Sequence, residues 1–289
     1  MKFYAIAAVS ALALTACAPE AGSEAEAQTE TAAEAAAEDT ALTEVLAHER
    51  RADDAARDEF RNPAETLAFF QMAPDQTVIE YAPGGGWYTR VLAPYVAGEG
   101  GYVAVGFVPE GIDTLPDNFK VQVREGGESF AATQSEALGI PAEDLPFYFG
   151  DAVPDALDGT VDRVLMIRMM HNLLRWDMAE SEIATLRDTL KPDGLLGVVQ
   201  HRAKADAPDD YAGGDMGYLR EADMIAFFEA NGFELVDSSE INANPADTAD
   251  YENGVWTLPP SYGLGDEDRE TYAAIGESDR MTLLFRKAE

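Results

Sequence analysis

From Thr77 to the end of the chain, short apolar runs alternate with stretches of helical period. Thr77 to Ile79 and Tyr102 to Phe107 read as strands early in this region, and Phe233 to Ser238 and Arg280 to Arg286 as strands near its end. Val91 to Val96 is helical between the first two, and Glu221 to Asn231 is a helix closed by Gly232. Upstream, Glu49 to Glu59 reads as a charged helix. Asn62-Pro63 reads as the cap and first-turn pair of a second helix running through Phe70. The stretch from Asn242 to Asp279, rich in Pro, Asp and aromatic residues, is expected to fold over the ligand side as a lid.

The first strand leads through Glu80-Tyr81-Ala82-Pro83 into three consecutive glycines, Gly84, Gly85 and Gly86, and then into Trp87-Tyr88-Thr89 and a helix. Glycines let a backbone approach a ligand with no Cβ in the way, and the helix that follows aims unpaired N–H groups at whatever is bound. The turn therefore reads as nucleotide-binding, with Glu80 placed to accept hydrogen bonds from ribose hydroxyls. A tight strand-to-helix connection without a ligand is the alternative.

Glu-x-x-Pro-Gly-x-Gly followed by an aromatic-Thr helix start resembles motif I of the class I S-adenosylmethionine-dependent methyltransferases. Phe147-Tyr148-Phe149-Gly150-Asp151-Ala152 resembles that family's third strand and the acidic residue after it that contacts adenine. Val161 to Ile167 fits the fourth strand, leading into Met169-Met170-His171-Asn172-Leu173, and Met178 to Leu190 and Gly194 to His201 fit the next helix and strand. More narrowly, Arg61 to Leu67, the glycine turn, the Met-Met-His-Asn segment and His201-Arg202 are similar to a group of bacterial methyltransferases, often exported. The resemblance covers about residues 48 to 289.

It implies an α/β, Rossmann-like class I methyltransferase fold: a seven-stranded, mostly parallel sheet with an antiparallel last strand paired to the sixth. Cofactor contacts are then expected at Glu80, Ala82, Pro83, Gly84, Gly85, Gly86, Thr89, Phe107, Gly150, Asp151 and Ala152. His171 and His201 are the candidate catalytic residues: a neutral imidazole after strand four could take a proton from an acceptor hydroxyl or thiol. Histidines satisfied by their own buried hydrogen bonds remain the alternative for both, and His201 with Arg202 could instead bind an anionic group. Two departures stand out. Ala82 replaces the first glycine of the motif, and Gly106-Phe107 stands where the family places an acid for both ribose hydroxyls, so Gly106→Asp is expected to tighten cofactor binding. No Asn-Pro-Pro-Tyr segment follows strand four, which removes the usual arrangement for amino groups on bases.

The N-terminus carries a separate message. Met1-Lys2 precedes an apolar stretch, Phe3 to Leu14, that is short for a membrane anchor and reads as a signal peptide over residues 1–16. Leu14-Thr15-Ala16-Cys17 resembles a bacterial lipobox, with Cys17 the lipidated residue and Ala18 favouring the outer membrane, facing the periplasm. Residues 17–45, Ala/Glu-rich, read as a disordered acidic tether, and residues 46–289 as the domain. Cys17 is the only cysteine, so no internal disulfide forms.

The chain has 20 Lys+Arg against 54 Asp+Glu, a formal net charge of -34, which disfavours nucleic-acid substrates. Three function classes compete. One is a methyltransferase that uses S-adenosylmethionine on a small-molecule acceptor, and another is an exported binding protein that keeps the fold without turnover. A nicotinamide oxidoreductase is disfavoured because Pro83 interrupts the Gly-x-Gly-x-x-Gly spacing.

Overall fold

In the computed structural model, which describes residues 39–288, the chain forms one seven-stranded sheet flanked by helices on both faces. Three helices come first: α1 (Thr40–Ala47), α2 (Asp58–Arg61) and α3 (Pro63–Phe69). The alternating part runs β1 (Thr77–Tyr81), α4 (Thr89–Val96), β2 (Gly101–Gly106), α5 (Asp117–Leu138), β3 (Phe147–Phe149), β4 (Val161–Ile167), α6 (Met170–Arg175), α7 (Ala179–Thr189) and β5 (Leu190–His201). The chain closes with α8 (Asp209–Ala212), α9 (Glu221–Ala230), β6 (Phe233–Ser239), α10 (Arg269–Ile275) and β7 (Arg280–Lys287).

The strand order is β3-β2-β1-β4-β5-β7-β6. The β1–β2, β2–β3, β1–β4 and β4–β5 pairs are parallel, while β7 runs antiparallel between β5 and β6. This is the Rossmann-like methyltransferase topology that the resemblance implies. Central strands buried on both faces explain why β1 and β2 read as continuous apolar runs instead of alternating ones. One apolar layer joins α1, α3, α4 and Phe130 of α5 to the sheet, and α6, α7 and α9 cover the opposite face. The chain order reverses at β1, so the carboxyl ends of β1 and β4 open a crevice between their outgoing connections. Among the described residues no helix is long and apolar enough to cross a membrane.

Three expectations need correction. Glu49 to Glu59 is not one charged helix but two short 3-10 turns, Glu49–Arg51 and Ala55–Arg57, running into α2. The breaks allow charged side chains to turn inward: Arg51 is fully buried and pairs with Asp58 at 2.6 Å. α5, of 22 residues, occupies a stretch where no helix was expected. Finally, the packed chain begins inside the segment assigned to the tether. Asp39 caps α1 by accepting from the Leu42 N–H and also takes a hydrogen bond from the Tyr95 hydroxyl, while Leu42 and Val45 are buried in the core. The signal peptide, Cys17 and the rest of the tether lie outside the described residues.

Leu42→Ala should lower the unfolding free energy by about 2–3 kcal/mol in denaturant titrations, the cost of emptying a buried leucine site. A change near zero would return residues 40–45 to the tether.

Candidate functional site

Two cavities of about 400 Å³ each open at the carboxyl ends of the strands and share Ala82, Pro83, Gly84 and Met169. Toward β2 and β3 the lining is apolar: Phe107, Phe119, Phe130 and Phe147 with Gly106, Gly126 and Gly127. Over β4 and β5 the lining is polar and charged, with Arg57, Arg61, Arg168, His171, His201, Glu277 and Ser278 among its residues. Trp256, Pro259 and Pro260 line the same polar cavity, so the Asn242–Asp279 stretch does cover it as expected.

The turn between the cavities owes its shape to left-handed backbone. Ala82 sits at φ 52 and Gly84 at φ 55, and only an open space faces Gly84, the nearest atom to a Cβ there being the Ala82 carbonyl oxygen at 3.9 Å. A side chain at Gly84 would strain the turn and enter the space shared by both cavities. Behind the turn, Glu80 is buried and its Oε2 accepts hydrogen bonds from Thr89 Oγ1 at 2.7 Å and from the Tyr102 hydroxyl at 2.6 Å. Burial pushes its carboxyl up to about 7, while the Tyr102 and Thr89 hydroxyls and the Arg90 charge pull the other way. Glu80 thus lines the polar cavity, whereas Thr89 is fully buried and serves to hold Glu80.

Of the expected cofactor residues, Glu80, Ala82, Pro83, Gly84 and Gly85 meet at the polar cavity, and Phe107 joins Ala82–Gly84 at the apolar one. Gly86 faces Gln134 and Arg90 behind the turn. Gly150, Asp151 and Ala152 line neither cavity: they form a 3-10 turn past β3 in which Gly150 is buried and Asp151 and Ala152 are exposed. Gly106→Asp, expected to tighten cofactor binding, meets a steric obstacle. A Cβ at Gly106 would lie 2.5 Å from the Phe147 ring, so the substitution displaces an aromatic wall of the cavity instead of reaching a ribose.

The two histidines do come together. Their ring centroids are 5.5 Å apart, and both rings are buried. Gln200 contacts the His171 ring. Its Nε2 lies 3.0 Å from the Gly217 carbonyl oxygen, which can only accept, so that atom is the amide nitrogen; it also lies 3.2 Å from His171 Nδ1, closer than Oε1 at 3.4 Å. Both amide atoms are within hydrogen-bond reach of Nδ1, so Gln200 holds that edge of the ring. Burial first, then Arg175 and Arg168, bring the His171 pKa down to about 4 against the raising influence of Gln200, so the ring stays neutral near pH 7. His201 Nδ1 is 2.6 Å from Ser278 Oγ, and its pKa falls well below the ordinary value through burial and the nearby His171 and arginines. Arg202, expected beside it as an anion binder, is taken up outside the cavity by Glu221, Glu240 and Asp279.

What the sequence did not reveal is the charge cluster. Glu277, almost fully buried, receives Arg57 at 2.7 Å, Arg61 at 3.1 Å and Arg280 at 3.2 Å. Arg61 also stacks over Trp87, 4.6 Å from its centroid. Arg168, immediately after β4 and at φ 57, donates its backbone N–H to the Val199 carbonyl oxygen at 2.7 Å, but its side chain makes no hydrogen bond or ion pair within the described residues. Its position at a strand's carboxyl end was the available signal. Among the described residues no group of three or more His, Cys, Asp or Glu is arranged to hold a metal.

The sequence matches no protein-family model and no curated protein. Solved structures of similar shape include a SAM-dependent methyltransferase from Aquifex aeolicus, at 16% identity and TM-score 0.44, spanning 70% of this chain and 93% of that one. Another is the Burkholderia thailandensis 1,6-didemethyltoxoflavin-N1-methyltransferase, with bound S-adenosylhomocysteine, at 14% identity and TM-score 0.46 over 96% and 94% of the two chains. The [4+2]-cyclase SpnF is also similar, at 16% identity and TM-score 0.48 over 79% and 80%. Likenesses this distant leave the chemistry to be read from this chain's own residues.

Glu80 supplies a test of the burial behind the turn. Its folded-state pKa of about 7 exceeds the ordinary 4.5, so the folded state holds the proton more tightly. The corresponding stability is fully present below about pH 4.5 and is lost as pH rises through 7, on the order of 3 kcal/mol. Glu80→Gln should remove that loss: across pH 4.5–7.5 the wild type's melting temperature should fall relative to the variant's. Parallel curves would mean that Glu80 is solvated.

Proposed function

We propose that this protein is an S-adenosylmethionine-dependent methyltransferase acting on a small-molecule acceptor. The observation that carries the reading is the left-handed Ala82–Gly84 turn at the carboxyl end of β1, standing between an apolar, phenylalanine-lined cavity and a polar one. An adenosylated sulfonium is itself two-sided, with a flat aromatic base at one end and a charged amino-acid end at the other. Cavities of this size, divided by a bare backbone turn, suit such a ligand. The residues fit the group in this respect, although no acid stands at the end of β2 to hold its ribose.

When bound, S-adenosylmethionine supplies an electrophilic methyl group on sulfur. The chain's own contribution is placement and exclusion of water. Phe107 and Phe147 offer ring faces to the base, Gly84 lets the ligand lie against backbone, and Trp256 with Pro259 roofs the polar side. His171, neutral near pH 7 and held at Nδ1 by Gln200, orients the acceptor by a hydrogen bond from its other edge.

Calorimetry with S-adenosylhomocysteine should show saturable binding, weakened at least tenfold by Gly84→Val. Equal affinity in a variant that stays folded by circular dichroism, or no binding to the wild type, would sink the reading. We further propose, from Leu14 to Cys17 alone, that the protein is lipid-anchored in the bacterial envelope. Mass spectrometry of the N-terminal peptide from the native host should find acylated Cys17, and an unmodified chain beginning at Met1 would remove that assignment.

A further inference from the structure

The charge on the polar cavity is at odds with the rest of the molecule. The sequence carries a formal net charge of -34, yet four arginines, Arg57, Arg61, Arg168 and Arg280, crowd round one end of this cavity with a single carboxylate, Glu277, between them. The cavity's other ion pair, Arg90 with Asp54, is self-contained. Burial and the neighbouring Arg61 and Arg280 pull Arg168 down to about 9, the mark of a cation held among cations.

The hydrogen-bond count gives an independent sign. Arg57 Nη2, Arg61 Nη2 and Arg168 Nε are buried and have no partner among the described residues, and the Arg61 side chain is 2% exposed. Buried guanidinium N–H groups are costly to leave unpaired, and one carboxylate cannot satisfy three forks. His171 lines the same cavity, its Nδ1 edge held by Gln200, and its ring can offer a further N–H. Arg57, Arg61, Arg168 and His171 all line one cavity, with unpaired guanidinium N–H groups just behind its wall. That is the set a compact oxyanion would complete.

We propose that this end of the polar cavity is an oxyanion subsite that takes the carboxylate or phosphate of a small acidic ligand, with Arg168 as its principal cation and Arg61 and His171 as further donors. Taken with the methyl-transfer reading, on which this part rests, the ligand is the acceptor, so the substrate class is small organic acids or phosphate esters. An acidic exterior and a basic pocket also separate this site from polyanions: a free small anion can enter, whereas a nucleic acid would be repelled over the surrounding surface.

The full chain holds three histidines, His48, His171 and His201, so imidazole resonances report the site directly. Titration with inorganic phosphate, and separately with acetate, should shift the His171 signals saturably while exposed His48 stays still; the tighter of the two probes names the oxyanion. Arg168→Gln should weaken that binding at least tenfold, and Arg168→Lys should recover part of it. No saturable shift with either probe, or equal movement of His48, would overturn the subsite. Phosphate displaced by S-adenosylhomocysteine would also overturn it, because the oxyanion would then be the cofactor's own carboxylate. Phosphate binding at Arg168 without any S-adenosylhomocysteine binding would uphold the subsite and remove the methyltransferase reading instead.

Discussion

Glu277 is the constraint on which the polar half of the site depends. Among the described residues it is the carboxylate shared by Arg57, Arg61 and Arg280; it, Arg61 and Arg280 are buried and Arg57 is partly exposed. The arginines keep the Glu277 carboxyl below its ordinary range although burial alone would raise it. Removing one partner from such a cluster costs far more than the cluster contributes, because the remaining charges stay buried without compensation. The position of Arg61 then sets Trp87 by stacking, and Trp87 lies in the turn between the glycines and the N-cap of α4. Charge in one corner of the cavity therefore fixes backbone in another.

The sheet was legible because its central strands are buried on both faces. Val161 to Ile167 is an uninterrupted apolar run but for Asp162 and Arg163, and it is β4 residue for residue. β7 was placed to within one residue for the same reason, and the glycine turn because three glycines in a row have few other uses. α5 escaped notice for a physical reason: it buries only Gly127, Phe130, Gln134 and Leu138, a stripe too thin and too polar to register as periodicity. α1 was lost in the Ala/Glu-rich composition around it, since two buried side chains, Leu42 and Val45, suffice to dock it.

The site was legible only where backbone defines it. Glu80, Ala82, Pro83, Gly84 and Gly85 line the cavity at the turn, but Asp151 was assigned from order along the chain, and it is an exposed turn residue that lines neither cavity. The contact that holds His171 comes from Gln200, backed by Gly217, 29 and 46 positions away in sequence, and no local pattern encodes it. The arginine cluster was hidden for the same reason: each member looks like a surface charge until the chain brings them to one carboxylate.

That convergence has a consequence for how the molecule acquires its pocket. Arg57 and Arg61 lie 220 and 216 residues from Glu277, and Arg280 donates to the Phe60 carbonyl across another 220. These are among the longest loops the chain can close, and closing them waits on β7, which inserts between β5 and β6. A growing polypeptide reaches Glu277 only after every other strand has been made. Until that last strand docks, the molecule has its glycine turn and its phenylalanine-lined cleft but no basic corner, so a partly folded chain is blind to acidic ligands.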